Sequence, residues 1–68
     1  MKYYYEDFYG CKAVIETNWD GSANLRVYLP NGSKYIDKAY KAIGGAKKAL
    51  GRYSDGTARL TGTEARIF

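Results

Sequence analysis

Histidine is missing from this 68-residue chain, and that absence removes most of the familiar catalytic chemistry. No Ser–His–Asp or Cys–His pair can form, and no imidazole is available to ligate zinc. Cys11, the one cysteine, has no base to draw off its proton and cannot close an internal disulfide. A buried, inert thiol is its expected state. The seven carboxylates scatter over turns and outward strand positions with no pair fixed by spacing, so no acid–base dyad is expected. Gly44-Gly45-Ala46-Lys47-Lys48 has glycine and lysine in phosphate-loop order but lacks the four-residue gap followed by Gly-Lys-Ser/Thr. Asn18-Trp19-Asp20-Gly21-Ser22 and Ser54-Asp55-Gly56-Thr57 have the composition of calcium loops without the ligand spacing or the closing glutamate. The chain reads as a non-enzyme without cofactor or metal.

What remains is binding. The net charge of +4 is unevenly placed. Residues 1–22 carry −2, with Lys2 and Lys12 against Glu6, Asp7, Glu16 and Asp20. Residues 23–53 carry +6, with Arg26, Lys34, Lys38, Lys41, Lys47, Lys48 and Arg52 against Asp37. A basic middle favours nucleic acid or an acidic protein or nucleoprotein surface as partner. The candidate contact residues are Lys41, Lys47, Lys48 and Arg52 on a basic helix and Lys12, Arg26, Tyr28 and Tyr35 on the outer face of a sheet. Trp19, at the tip of a turn, completes the set. Eight tyrosines are more than a core of this size needs, and tyrosine suits half-exposed contact surfaces.

The elements that would position these residues follow from periodicity. Lys41–Tyr53 stepped at about 100° per residue gathers Ala42, Ile43, Ala46, Ala49, Leu50 and Tyr53 on one face. Lys41, Lys48 and Arg52 fall on the other. Gly44 and Gly45 weaken this helix by about 1 kcal/mol each relative to alanine, or let it approach a neighbour closely. Cys11–Thr17 reads as a strand, and Asn24–Leu29 alternates as a half-buried one. Asn31-Gly32 between alternating runs predicts a two-residue type I′ hairpin. That loop sets Leu29 opposite Lys34, Tyr28 opposite Tyr35, Val27 opposite Ile36 and Arg26 opposite Asp37. The preceding hairpin would pair Ile15 with Leu25, Ala13 with Val27 and Cys11 with Leu29. One continuous helix from Ser33 to Tyr53 is the competing assignment.

Residues 1–9 form an N-terminal arm or an edge strand, and their tyrosines are a candidate homodimer contact. Thr57–Thr61 is a strand with Ala58 and Leu60 inward, Gly62-Thr63 breaks it, and 62–68 is a short final strand or tail. The expectation is one α+β domain over 1–68, a small antiparallel sheet of three to four strands covered on one face by a single helix, in the order β-β-β-α-β. No internal repeat is apparent. No apolar run of about 18 residues is present to span a membrane, and one cysteine without a signal-peptide pattern fits the cytoplasm.

From Asn24 to Tyr53 the pattern resembles the three-stranded-sheet-plus-helix module of phage integrase arm-binding and AP2-like DNA-binding domains. The residues that carry it are Leu-Arg-Val-Tyr-Leu-Pro-Asn-Gly-Ser-Lys-Tyr, from Leu25 to Tyr35, and the basic, alanine-containing helix. In that family the sheet enters the major groove, which implies DNA contact by Lys12, Arg26, Tyr28 and Tyr35. Ala42 stands where the family usually has a threonine cap, and the family's outer sheet face is more uniformly basic. By type, the chain also resembles small accessory proteins of phages, anti-CRISPR proteins among them, whose site of action is the host cytoplasm. Two functions follow as expectations: a non-enzymatic nucleic-acid-binding module, or a stoichiometric protein-binding inhibitor.

Overall fold

A computed structural model describes residues 1–64, and one kind of turn organises its first half. In Asp7–Cys11, Asn18–Ser22 and Leu29–Ser33 the first N–H donates to the fifth carbonyl, at 3.1, 2.8 and 2.9 Å. The fourth residue is glycine in each, and its N–H returns to the first carbonyl at 3.2, 3.0 and 2.8 Å. Gly10, Gly21 and Gly32 have φ of 82°, 90° and 90°, the left-handed region glycine enters without penalty. This is the three-residue hairpin loop, a tight turn closed by a glycine bulge. Asp20 Oδ1 and Asn31 Oδ1 brace their loops by accepting the Ser22 and Ser33 N–H groups at 3.0 and 2.9 Å. The three glycines recur every eleven residues, so the chain does carry an internal repeat. It is a repeat of turns, and the differing strand sequences between them hide it.

The three loops fold β1 (Lys2–Glu6), β2 (Lys12–Thr17), β3 (Ala23–Tyr28) and β4 (Lys34–Tyr40) into an antiparallel meander. After helix α1 (Ile43–Tyr53), β5 (Arg59–Glu64) pairs with β1, giving the sheet order β4-β3-β2-β1-β5. The class is α+β as expected, with five strands and one helix in the order β-β-β-β-α-β. Residues 2–6 are therefore neither an arm nor an edge, because both sides of β1 are hydrogen-bonded. The continuous helix from Ser33 is excluded by β4. β5 runs through the expected break at Gly62-Thr63, and Leu60 is 53% exposed rather than inward and covered. The proposed final strand or tail at 62–68 falls partly outside the described residues.

The Asn31-Gly32 turn needs correction. A type I′ loop requires positive φ at both central residues, and Gly32 has it while Asn31 does not. Leu29 consequently bonds to Ser33, and Tyr28 lies opposite Lys34 rather than Tyr35. The register then shifts between Val27 and Tyr28, leaving Tyr35 in a bulge, which restores Val27↔Ile36 and Arg26↔Asp37 as expected. Ile15↔Leu25 and Ala13↔Val27 also stand as expected. Cys11 and Leu29 lie beyond the paired strands.

The core is Ala13, Ile15, Ala23, Leu25 and Val27 from the sheet with Ala46, Ala49 and Leu50 from the helix. Ile15 and Leu25 are fully buried, each worth about 1.5–3 kcal/mol in apolar area removed from water. The alanines let the helix sit close to the strands. Ala42 and Tyr53 do not join this core: Ala42 is the exposed N-cap and Tyr53 is 41% exposed. The two glycines are not demanded by close approach either. A Cβ on Gly44 would meet nothing within 4 Å, and one on Gly45 would touch the Tyr40 ring at 3.5 Å, an ordinary contact. Ser54 ends the helix, 1% exposed, its hydroxyl donating to the Leu50 carbonyl at 2.8 Å. Asp55 and Gly56 then turn left-handed, and the Gly56 N–H reaches the Gly51 carbonyl at 2.8 Å. No helix among the described residues is long and apolar enough to cross a membrane.

Candidate nucleic-acid interface

The fold separates the basic residues into two groups with opposite electrostatics. Residues directly opposed in a sheet share a face, so the register sorts them. On the face away from the helix stand Lys2, Lys12, Arg26, Lys34 and Arg59 together with Glu6, Glu16, Asp37 and Glu64. Five cations meet four anions, and several are paired. Arg26 Nη1 lies 3.3 Å from Glu16 Oε1, Arg26 Nε lies 3.8 Å from Asp37 Oδ1, and Lys34 Nζ lies 3.3 Å from Asp37 Oδ2. Tyr4, Val14 and Tyr28 form the apolar part of this face, half-buried. Lys12, Arg26 and Tyr28 point outward as expected, and Tyr35 is 60% exposed in its bulge. Arg26 is nonetheless held between two carboxylates. A phosphate approaching it would meet the field of an ion-paired cluster.

The helix side is different. Lys41, Lys47, Lys48 and Arg52 are exposed, and none forms an ion pair among the described residues. The helix contains no acidic residue, and its N-cap, Ala42, supplies no side-chain hydrogen bond. Lys38 joins this group: it lies opposite Leu25, whose side chain is under the helix, so it sits on the helix side of the edge strand β4. Lys38 is not among the contact residues expected from the sequence, and only the strand register reveals its face.

Two further residues come into view on the same side. The helix lies over β2, β3 and β4, and the helix-side face of β1 runs beside it, packed against the margin of the core. Tyr3 and Tyr5 stand there, both half-buried, opposite Thr63 and Leu60. Lys47 Nζ is 5.8 Å from the centre of the Tyr3 ring, within the range of a cation–π contact. Burial raises the Tyr5 hydroxyl pKa above its ordinary value, and neighbouring Tyr3 adds to the shift. The alternation of Tyr3, Tyr4 and Tyr5 was the available signal: in any strand it places two rings on one face and one on the other.

Trp19 is 91% exposed at the tip of the β2–β3 loop. Ala23, which follows that loop, pairs with Tyr40, the last residue of β4, so Trp19 lies at the end of the sheet from which the helix departs. At the other end Phe8 is 82% exposed and packs edge-on to Tyr9 at 5.7 Å between ring centres. Tyr9 donates its hydroxyl to Asp55 Oδ2 at 2.9 Å, which raises the Tyr9 pKa. Cys11 is partly buried, and its thiol pKa is pushed up by desolvation first, then by the charge and hydrogen bonding of Asp7. Among the described residues no group of three histidine, cysteine or carboxylate side chains converges to hold a metal ion. Compared with known proteins, the chain matches no family model, no curated protein and no solved structure.

Proposed function

We propose that the protein is a non-enzymatic nucleic-acid-binding module whose phosphate-contacting surface is the helix side, formed by Lys38, Lys41, Lys47, Lys48 and Arg52. The observation that carries this reading is the asymmetry of pairing. Arg26 and Lys34 on the outer sheet face are tied to Glu16 and Asp37, whereas the helix-side cations have no acid in reach among the described residues. Lysines and arginines without ion-pair partners neutralise phosphates and release counterions, which gives affinity without sequence readout. The sheet-first geometry implied by integrase-like domains is less well supported here, because the carboxylates on that face would repel a phosphate backbone.

The test is binding to labelled DNA and RNA across a salt series. Contact with five phosphates predicts a slope of log K against log salt of about −3.5 on single strands and about −4.5 on duplex DNA. Absence of any binding at low salt sinks the proposal.

A second reading, a stoichiometric protein-binding inhibitor of the kind phages encode, is favoured by one observation. Phe8 and Trp19 are large rings left 82% and 91% exposed, and exposed aromatics anchor protein interfaces. Its signature is a partner captured in defined stoichiometry with little salt dependence, and loss of capture on Trp19→Ala.

A further inference from the structure

Between the C-terminal half of the helix and β1 runs a groove of about 240 Å³, walled by Lys47, Leu50 and Gly51 of the helix and bounded by Tyr5 and Ala58. That is below the range of about 300–1,000 Å³ usual for drug-sized ligands, and is room for one flat ring system. The Ser54 hydroxyl in its wall is already occupied: it donates to the Leu50 carbonyl and accepts the Ala58 N–H at 3.3 Å. What the groove presents is apolar and aromatic surface with the Lys47 ammonium and the Tyr5 ring and hydroxyl. Beyond Tyr5 the same surface continues onto Leu60, which lies opposite it and is 53% exposed.

We propose that this groove takes one unpaired nucleobase, so that the protein prefers single-stranded to duplex nucleic acid; the inference rests on the nucleic-acid reading above and specifies its ligand. An aromatic and apolar wall beside a free cation is the combination that binds single strands: the base covers the ring surface while the cation meets the adjoining phosphate. A duplex hides its base faces and has nothing to insert. Lys47 serves both ends of this arrangement, reaching the Tyr3 ring at 5.8 Å and forming part of the groove wall. A nucleic-acid strand is favoured over an apolar peptide because the helix flanking the groove carries Lys48 and Arg52 and no acid, while Asp55, between Ser54 and Gly56 of the lining, is engaged by the Tyr9 hydroxyl at 2.9 Å. Charge complementarity thus runs on along the helix.

The experiment uses the full chain with two fluorescent probes, a twelve-nucleotide oligothymidine and its duplex with oligoadenosine, at low salt. A charged surface without a base site would favour the duplex, whose charge density is higher. The expected result is the reverse, with the single strand bound about tenfold more tightly through stacking. Gly51→Leu should abolish that preference while leaving duplex affinity within twofold. A Cβ at Gly51 meets nothing within 4 Å, so the side chain enters the groove rather than the core. If Gly51→Leu unfolds, Gly51→Ala adds a methyl to the same space and should show a smaller loss in the same direction. A wild-type chain that binds duplex as tightly as single strand overturns the groove and leaves the cationic surface standing. So does a preference that survives filling the groove. Failure to bind either probe removes both.

Discussion

The Lys47 ammonium stands 5.8 Å from the centre of the Tyr3 ring, linking the helix to β1, whose Tyr3 and Tyr5 pack against the core. The contact is exposed on the lysine side, so it is worth about 0.5–1 kcal/mol at most. Lys47→Gln should therefore lower stability by less than about 1 kcal/mol in chemical denaturation. The same substitution should reduce the magnitude of the salt slope for DNA binding by roughly one phosphate contact. A stability loss of several kcal/mol would show that Lys47 is a structural residue first.

The turns yield a sharper contrast. Gly10, Gly21 and Gly32 have positive φ, whereas Gly44 lies in helix and faces open space. Alanine at any of the three turn positions should cost about 1–2 kcal/mol, from the left-handed penalty. Gly44→Ala should add about 0.5–1 kcal/mol, a rise in melting temperature of several degrees for a domain of this size. Thermal melts of the four variants check the sign at each site.

Ala42 is an extended N-cap, at φ −151° and ψ 159°, without a capping side chain. Ala42→Ser should stabilise the helix by about 1 kcal/mol and leave nucleic-acid affinity unchanged, since no charge is altered. Equilibrium unfolding reads the first effect and a binding titration the second.

Cys11 supplies the pH dependence. Its thiol pKa is raised by desolvation and by Asp7, so at mildly alkaline pH a smaller fraction is thiolate than in a free thiol. Alkylation by iodoacetamide should be slower than for glutathione and should climb at higher pH. Asp7→Asn removes the charge and should speed it. Because the folded pKa lies above the unfolded one, the neutral thiol favours the folded state below the unfolded value. That contribution is lost as pH rises through the folded pKa.

Much of the architecture was legible in alternation and turn residues. Leu25, Val27 and Ile15 faced inward because their spacing required it, and Arg26 met Asp37 because loop and bulge errors cancelled. The hairpin loop itself was misread, since Asn-Gly serves both two-residue and three-residue turns and the sequence pair does not distinguish them. β1 stayed open between arm and edge strand because Tyr3-Tyr4-Tyr5 has no polar alternation, and its place inside the sheet depended on β5 pairing with it from the far end of the chain. The site was less legible. Local sequence showed where the cations were, but whether each had an acid opposite depended on register. For Arg26 the hairpin pattern already set Asp37 opposite it, with no such partner for Lys48. The structure adds the second carboxylate, Glu16 at 3.3 Å, so that Arg26 is held from two sides.

That difference is also the most direct test. Lys48→Glu with Arg52→Glu should be compared with Arg26→Ala with Tyr28→Ala in one salt-titrated DNA-binding assay. The account predicts that the helix-side pair lowers affinity by tenfold or more, with a clearly shallower salt slope. The sheet-side pair should remain within about threefold of the parent, a change no larger than the ~1 kcal/mol ceiling for exposed ion pairs. The reverse result, with binding lost on the sheet side and retained on the helix side, would contradict it.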